Sequence, residues 1–132
     1  MSEHPNAALH RKGHEAFSTG DVDSLTEMIA EDTVWHVPGK SLVSGEFQGR
    51  EAVFEGFFAK MDELSDGTAK FVGNLDYLGN DERSVAIGRY SATRDGRTEE
   101  FRICEIILWR DGQILEEWSY LDDQYRWDAL WS

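Results

Sequence analysis

Through the last third of the chain the apolar positions recur at every second residue. In residues 98–110, Phe101, Ile103, Glu105, Ile107 and Trp109 share one face, and Arg102, Cys104, Ile106, Leu108 and Arg110 share the other, because strand side chains alternate. Residues 113–121 form a second β-rich run. The Asp111-Gly112 between the runs predicts a tight hairpin, since both residues tolerate the positive φ that such turns need. Both faces of the first strand are largely apolar, so helices are expected against one side and another sheet or subunit against the other.

Upstream, the period changes to that of helices. Leu9, Gly13, Ala16 and Phe17 predict a helix from about Asn6 to Thr19, stopped by Gly20. Asp21 is placed to cap a second helix with an apolar face of Val22, Leu25, Met28 and Ile29. The β-branched and aromatic residues 33–37 read as a short strand ended by Pro38-Gly39, and residues 40–48 as a loop. Residues 49–64 predict a third helix with two apolar stripes. Gly56 lies between those stripes, where a glycine costs about 1 kcal/mol relative to alanine, so a bulky neighbour is expected close by. Residues 68–78 and 84–94 are two further strands, joined at residues 79–82 and followed by a turn at Asp95-Gly96. The apolar tail, with Tyr125, Trp127, Leu130 and Trp131, is expected to dock, on its own helices or across a dimer.

Composition narrows the functional classes. A chain of 132 residues without a linker reads as one domain, 1–132. Its net charge of −13 argues against nucleic acid and anionic membranes as partners. The single Cys104 rules out an intrachain disulfide, and no apolar run is long enough for a membrane span. Residues 1–6 are polar and show no signal region, which makes a cytoplasmic location the expectation.

Ordered motifs then carry a resemblance. Residues 17–25 (FSTGDVDSL), 30–35 (AEDTVW), 37–39 (VPG), 47–53 (FQGREAV), 111–114 (DGQI) and 116–118 (EEW) resemble the nuclear transport factor 2-like superfamily, its SnoaL-like branch most. The resemblance implies an α+β fold, a cone-shaped barrel of curved antiparallel sheet closed by three helices from the N-terminal half. It also implies a homodimer through the outer sheet face. Steroid-isomerase members need polar groups where this chain has Gly13, Val37 and Glu105. Two of the three are missing, which argues against that reaction. Polyketide-cyclase members carry a base four residues after a last-strand tryptophan, and Trp118 and Asp122 have that spacing.

Three residues are therefore candidates for catalysis. The resemblance makes Asp122 the general base; the alternative is a cap on the tail. His36 stands at the end of a strand at the mouth of the implied cone, to move a proton or bind a substrate oxygen; alternation alone would instead turn it outward. Glu105 interrupts an apolar face, so it is either a buried neutral donor or paired, with Arg89 as the cross-sheet candidate. Trp35, Phe54, Phe58, Tyr90, Trp118 and Tyr120 are the candidate ligand-binding walls. His10 and His14 are four apart on a helix, but no third ligand is apparent and no metal is expected. No nucleotide-binding loop or nucleophile arrangement stands out, and no cofactor is expected. The leading expectation is a cofactor-independent acid/base enzyme (cyclase, isomerase, dehydratase or hydrolase type) acting on a small apolar or aromatic molecule. A non-catalytic ligand-binding protein or a dimeric interaction module is the alternative on the same fold.

Overall fold

The computed structural model describes residues 3–132. Met1 and Ser2, which begin the polar stretch expected to lack a signal region, lie outside the described residues. Helix α1 (Pro5–Thr19) starts where the His4 side chain accepts from the Asn6 amide and ends at Gly20 with φ 73°. Asp21 caps α2 (Val22–Met28) through the Ser24 amide. The chain passes directly into β1 (Ile29–Val37), a strand that begins four residues earlier than the pattern predicts. A second correction is β2 (Gly45–Gln48), which lies inside the expected loop and pairs antiparallel with β1. Its four residues are too few to show a periodicity.

The third helix is one continuous run in three parts: α3 (Arg50–Ala52), a π-helical turn (Val53–Phe58) and α4 (Ala59–Ser65). A π turn adds a residue to the helical repeat, and here the consecutive Phe57 and Phe58 both face the interior cavity. A Cβ on Gly56 would lie 2.8 Å from the Phe47 ring, which is the close neighbour that the mid-helix glycine anticipates.

Four long strands follow: β3 (Lys70–Gly79), β4 (Arg83–Arg94), β5 (Arg97–Arg110) and β6 (Gln113–Leu121). Both expected hairpin turns form with positive φ at each residue, 52° and 76° at Asp95-Gly96 and again at Asp111-Gly112. The sheet order is β2-β1-β6-β5-β4-β3. All pairs are antiparallel except β1 with β6, so the sheet is mixed, and its two edges leave it curled rather than closed.

Register shifts provide the bending. In β3 the pairing with β4 slips between Val72 and Asp76, at a Gly73 with φ 73°. In β6 one extra residue, Leu115, stands between the partners of Leu108 and Trp109. Such a bulge reverses the inside-outside alternation beyond it. Ile114 therefore faces in, and after the bulge Glu117 and Ser119 face in while Glu116 and Trp118 face out.

The core fills the concave side, with Trp35, Val53, Met61, Phe101, Ile107 and Trp127 buried between sheet and helices. The tail docks on its own chain as α5 (Gln124–Leu130), capped by Asp123. Trp127, Leu130 and Trp131 are buried, and the Trp127 ring meets Phe101 edge-on at 5.4 Å. Tyr125 departs from the expectation of burial and is 91% exposed. No helix among the described residues is long and apolar enough to cross a membrane.

Candidate active site

The concave face of the sheet surrounds an apolar cavity with a free volume of about 50 Å³. Its histidine, carboxyl and serine groups come from three elements. α1 supplies His10 and His14, one helical turn apart on its inner face. β5 supplies Glu105 from the face it shares with Ile103 and Ile107, and β6 supplies Glu117 and Ser119 because of the Leu115 bulge.

His10, His14 and Glu105 form one hydrogen-bonded chain with Ser84, Trp109 and Tyr77. The Trp109 indole N–H donates to Ser84 Oγ at 2.7 Å. Ser84 therefore uses its own proton on His10 Nδ1, 2.7 Å away. That leaves His10 Nε2–H to donate to Glu105 Oε1 at 2.8 Å. From the other side the Tyr77 hydroxyl donates to His14 Nδ1 at 2.9 Å, and His14 Nε2–H donates to the same Glu105 oxygen at 2.6 Å. The tautomers follow because an ionised carboxylate can only accept. Glu105 is thus held by two imidazoles, and the expected partner Arg89 instead pairs with Glu100 at 2.8 Å.

The two buried carboxyls are driven in opposite directions. Burial alone would raise Glu105, but the His14 charge and the His10 and His14 hydrogen bonds outweigh it and hold Glu105 far below the usual carboxylate range. Burial lowers His14, and the Glu105 charge and hydrogen bond oppose that shift. Glu117 is fully buried, and that burial, then the Glu105 charge and the hydrogen bond between the two carboxyls, pushes its pKa well up. The Ser119 hydroxyl, 3.1 Å from both Glu117 oxygens, offsets this in part. The surroundings thereby push Glu105 toward the ionised and Glu117 toward the protonated form, the separation on which acid/base chemistry draws.

Two further donors border the cavity. Among the described residues the Tyr90 hydroxyl donates only to the Met61 thioether, at 3.1 Å, a weak acceptor. The buried Trp127 indole N–H has no partner among the described residues.

The side chains singled out from sequence divide between the two sides of the sheet. Glu105, Trp35, Phe58 and Tyr90 line the cavity. Phe54 lies outside it, on a groove at the helical end. Asp122 does not reach the cavity: its carboxylate accepts from the Arg102 amide at 3.1 Å and lies 3.9 Å from Arg126. His36 also faces outward, stacked on Trp118 with ring centroids 5.4 Å apart and bonded to Glu116 at 2.6 Å. Trp118 and Tyr120 share that outer face. The bulge accounts for the two β6 residues, and ordinary alternation in β1 accounts for His36. Missed from sequence were the partnership of His10 and His14 with Glu105, and Glu117 altogether. A lone carboxylate on an apolar strand face, together with two histidines on one helix face, was the available signal for the first; the unseen bulge concealed the second.

His10, His14 and Glu105 also supply the third member that the histidine pair lacks in sequence, with ligand atoms all within 4.8 Å. Their spacing is nevertheless that of mutual hydrogen bonds, whereas donors around a tetrahedral zinc stand about 3.3 Å apart. Every imidazole nitrogen already has a protein partner.

Comparison with known proteins fits this architecture. Bal32a, from a soil-derived mobile gene cassette, is 34% identical with a TM-score of 0.89, over 96% of each chain. An NTF2-like protein from Burkholderia xenovorans is 21% identical with a TM-score of 0.84, covering 100% of this chain and 99% of its own. An uncharacterized protein of Mycobacterium tuberculosis is 28% identical over the full length of both chains. The SnoaL-like domain matches residues 10–117, and the chain belongs to that family, on the NTF2-like fold.

Proposed function

We propose that the protein is a cofactor-independent acid/base enzyme acting on a small apolar molecule, with Glu105 as general base and Glu117 as general acid. The observation that carries this reading is the pair of buried carboxyls on neighbouring strands, Glu105 accepting from two imidazoles and Glu117 from Ser119, whose surroundings push their pKa values in opposite directions in a largely apolar cavity. The family includes cofactor-independent isomerases and cyclases, which is consistent with that chemistry.

Glu105 takes a proton from a carbon beside a substrate carbonyl, and Glu117 gives its proton to the oxygen on which negative charge develops. Their mutual hydrogen bond then allows the proton gained by Glu105 to pass to Glu117, restoring both. His10 and His14 orient the base through their Nε2–H groups. Ser84, Trp109 and Tyr77 position the imidazoles. The test is proton exchange: in deuterium oxide, a bound ketone should exchange its α-hydrogens with wild-type protein and not with Glu105→Gln. Equal exchange by both would remove the proposed base.

We further propose that the outer sheet face pairs with a second copy of the chain. Ile87 and Tyr120, 40% and 54% exposed, join the half-buried Trp118 and Ile106 on this convex side. Light scattering checks this: a dimer mass is expected, and Trp118→Glu with Tyr120→Glu should reduce it to that of a monomer.

A further inference from the structure

We infer that the substrate is uncharged and occupies two compartments, its carbonyl end in the inner cavity and its apolar body in the outer groove between the helices, with Phe17 and Phe58 as the movable partition. This inference rests on the acid/base reading for the identity of the inner end. The inner space of about 50 Å³ is room for water-sized occupants, whereas ligand sites ordinarily measure about 300–1,000 Å³. The outer groove offers about 620 Å³. Phe17, Leu25, Phe58 and Met61 line both spaces, so a single layer of side chains separates them.

That layer is suited to move. Phe17 and Phe58 are only half-buried and meet at 5.6 Å in a tilted contact. Phe58 closes the π-helical turn, and Met61 is an unbranched, adaptable side chain. Rotation of the two rings joins the groove to the cavity without breaking a hydrogen bond of the Glu105 cluster.

The chemistry of the two spaces selects the class of molecule. Leu25, Phe54 and Ala59 give the groove apolar walls, and the charged groups lining it are Glu55 and Asp62, both acidic. Farther in stands ionised Glu105, and the whole chain carries 26 acidic against 13 basic residues. An anion is repelled at each stage. The inner end instead meets the Trp127 N–H, without a partner among the described residues, and the weakly engaged Tyr90 hydroxyl. Two such donors call for an acceptor oxygen. The class is therefore a neutral ketone, or a similar carbonyl compound, with an apolar body.

Calorimetric titration with three probes, 2-octanone, 2-butanone and octanoate at pH 8, tests this. 2-Octanone should bind one site at least tenfold more tightly than octanoate. Ala59→Trp, at an exposed position on α4, should weaken 2-octanone at least tenfold and leave 2-butanone unchanged. Glu55→Lys, also exposed, should narrow the gap between octanoate and 2-octanone. Unchanged 2-octanone affinity in Ala59→Trp would remove the groove from the account. Octanoate binding as tight as 2-octanone would overturn the charge selection, and no saturable 2-octanone binding would overturn both. Because the titration needs no turnover, its failure is separate from failure of the acid/base reading, which retained exchange in Glu105→Gln would reveal.

Discussion

Glu117 and Glu105 are diagonal neighbours on adjacent strands, both buried, and the Glu105 carboxylate pushes Glu117 toward its protonated form. β5 pairs Glu105 with Ser119 and Ile107 with Glu117, so the two carboxyls meet across one step of the ladder on the concave face. Like charges in that position repel, and the two histidines decide which carboxyl keeps the charge.

This arrangement gives a pH dependence of defined sign. Glu117 has a folded pKa raised above the ordinary 4.5, so its contribution to stability is full below that value and is lost as pH rises through the folded pKa. Glu105 is depressed, so its contribution is present above 4.5 and lost as pH falls through the folded pKa. In urea titrations above pH 4.5, wild type should lose stability with rising pH relative to Glu117→Gln. Parallel curves would show that Glu117 is ionised in the folded protein.

Ser84→Ala removes the hydroxyl that serves both Trp109 and His10. Two buried groups then lack a partner, at about 1–3 kcal/mol each. A Tm reduced by at least about 4 °C is expected. A shift near zero would mean that the network is not formed as described.

Gly56→Ala should destabilise the protein although alanine is the better helix former. The gain of about 1 kcal/mol in propensity is set against a Cβ placed 2.8 Å from the Phe47 ring, and overpacking of this kind costs about 1–3 kcal/mol. A raised urea midpoint would show that Phe47 gives way freely.

Asp122→Asn should leave proton exchange within about twofold of wild type, since Asp122 is tied to the Arg102 amide outside the cavity and asparagine can still accept there. A loss of exchange comparable with that of Glu105→Gln would return Asp122 to the site.

Zinc in modest excess should not raise Tm, because the His10, His14 and Glu105 nitrogens and oxygen bond to one another at 2.6 and 2.8 Å. A rise of several degrees that disappears in His10→Ala would identify a metal site, since binding to the folded state alone adds stability.

Much of this architecture was legible in the chain. The alternation of Phe101, Ile103, Glu105, Ile107 and Trp109 grouped the residues of one face of β5 without showing that it is the inner one, and two Asp-Gly pairs marked the hairpins. What escaped notice depends on local irregularity and long-range pairing. A bulge at Leu115 has no periodicity of its own, so the sequence does not show that Trp118 faces outward and Glu117 inward. The π turn that contains Gly56 is likewise an exception to the helical repeat. His14 and Glu105 are 91 residues apart, and only the curl of the sheet around α1 brings them together.

Infrared difference spectroscopy at pH 7 reads the protonation of the two buried carboxyls. A protonated carboxyl band is expected in wild-type protein, absent from Glu117→Gln, with Glu105 still ionised in that variant. A spectrum with only carboxylate bands at pH 7 would contradict it, since no buried acid would then be present to serve Glu105 as its partner.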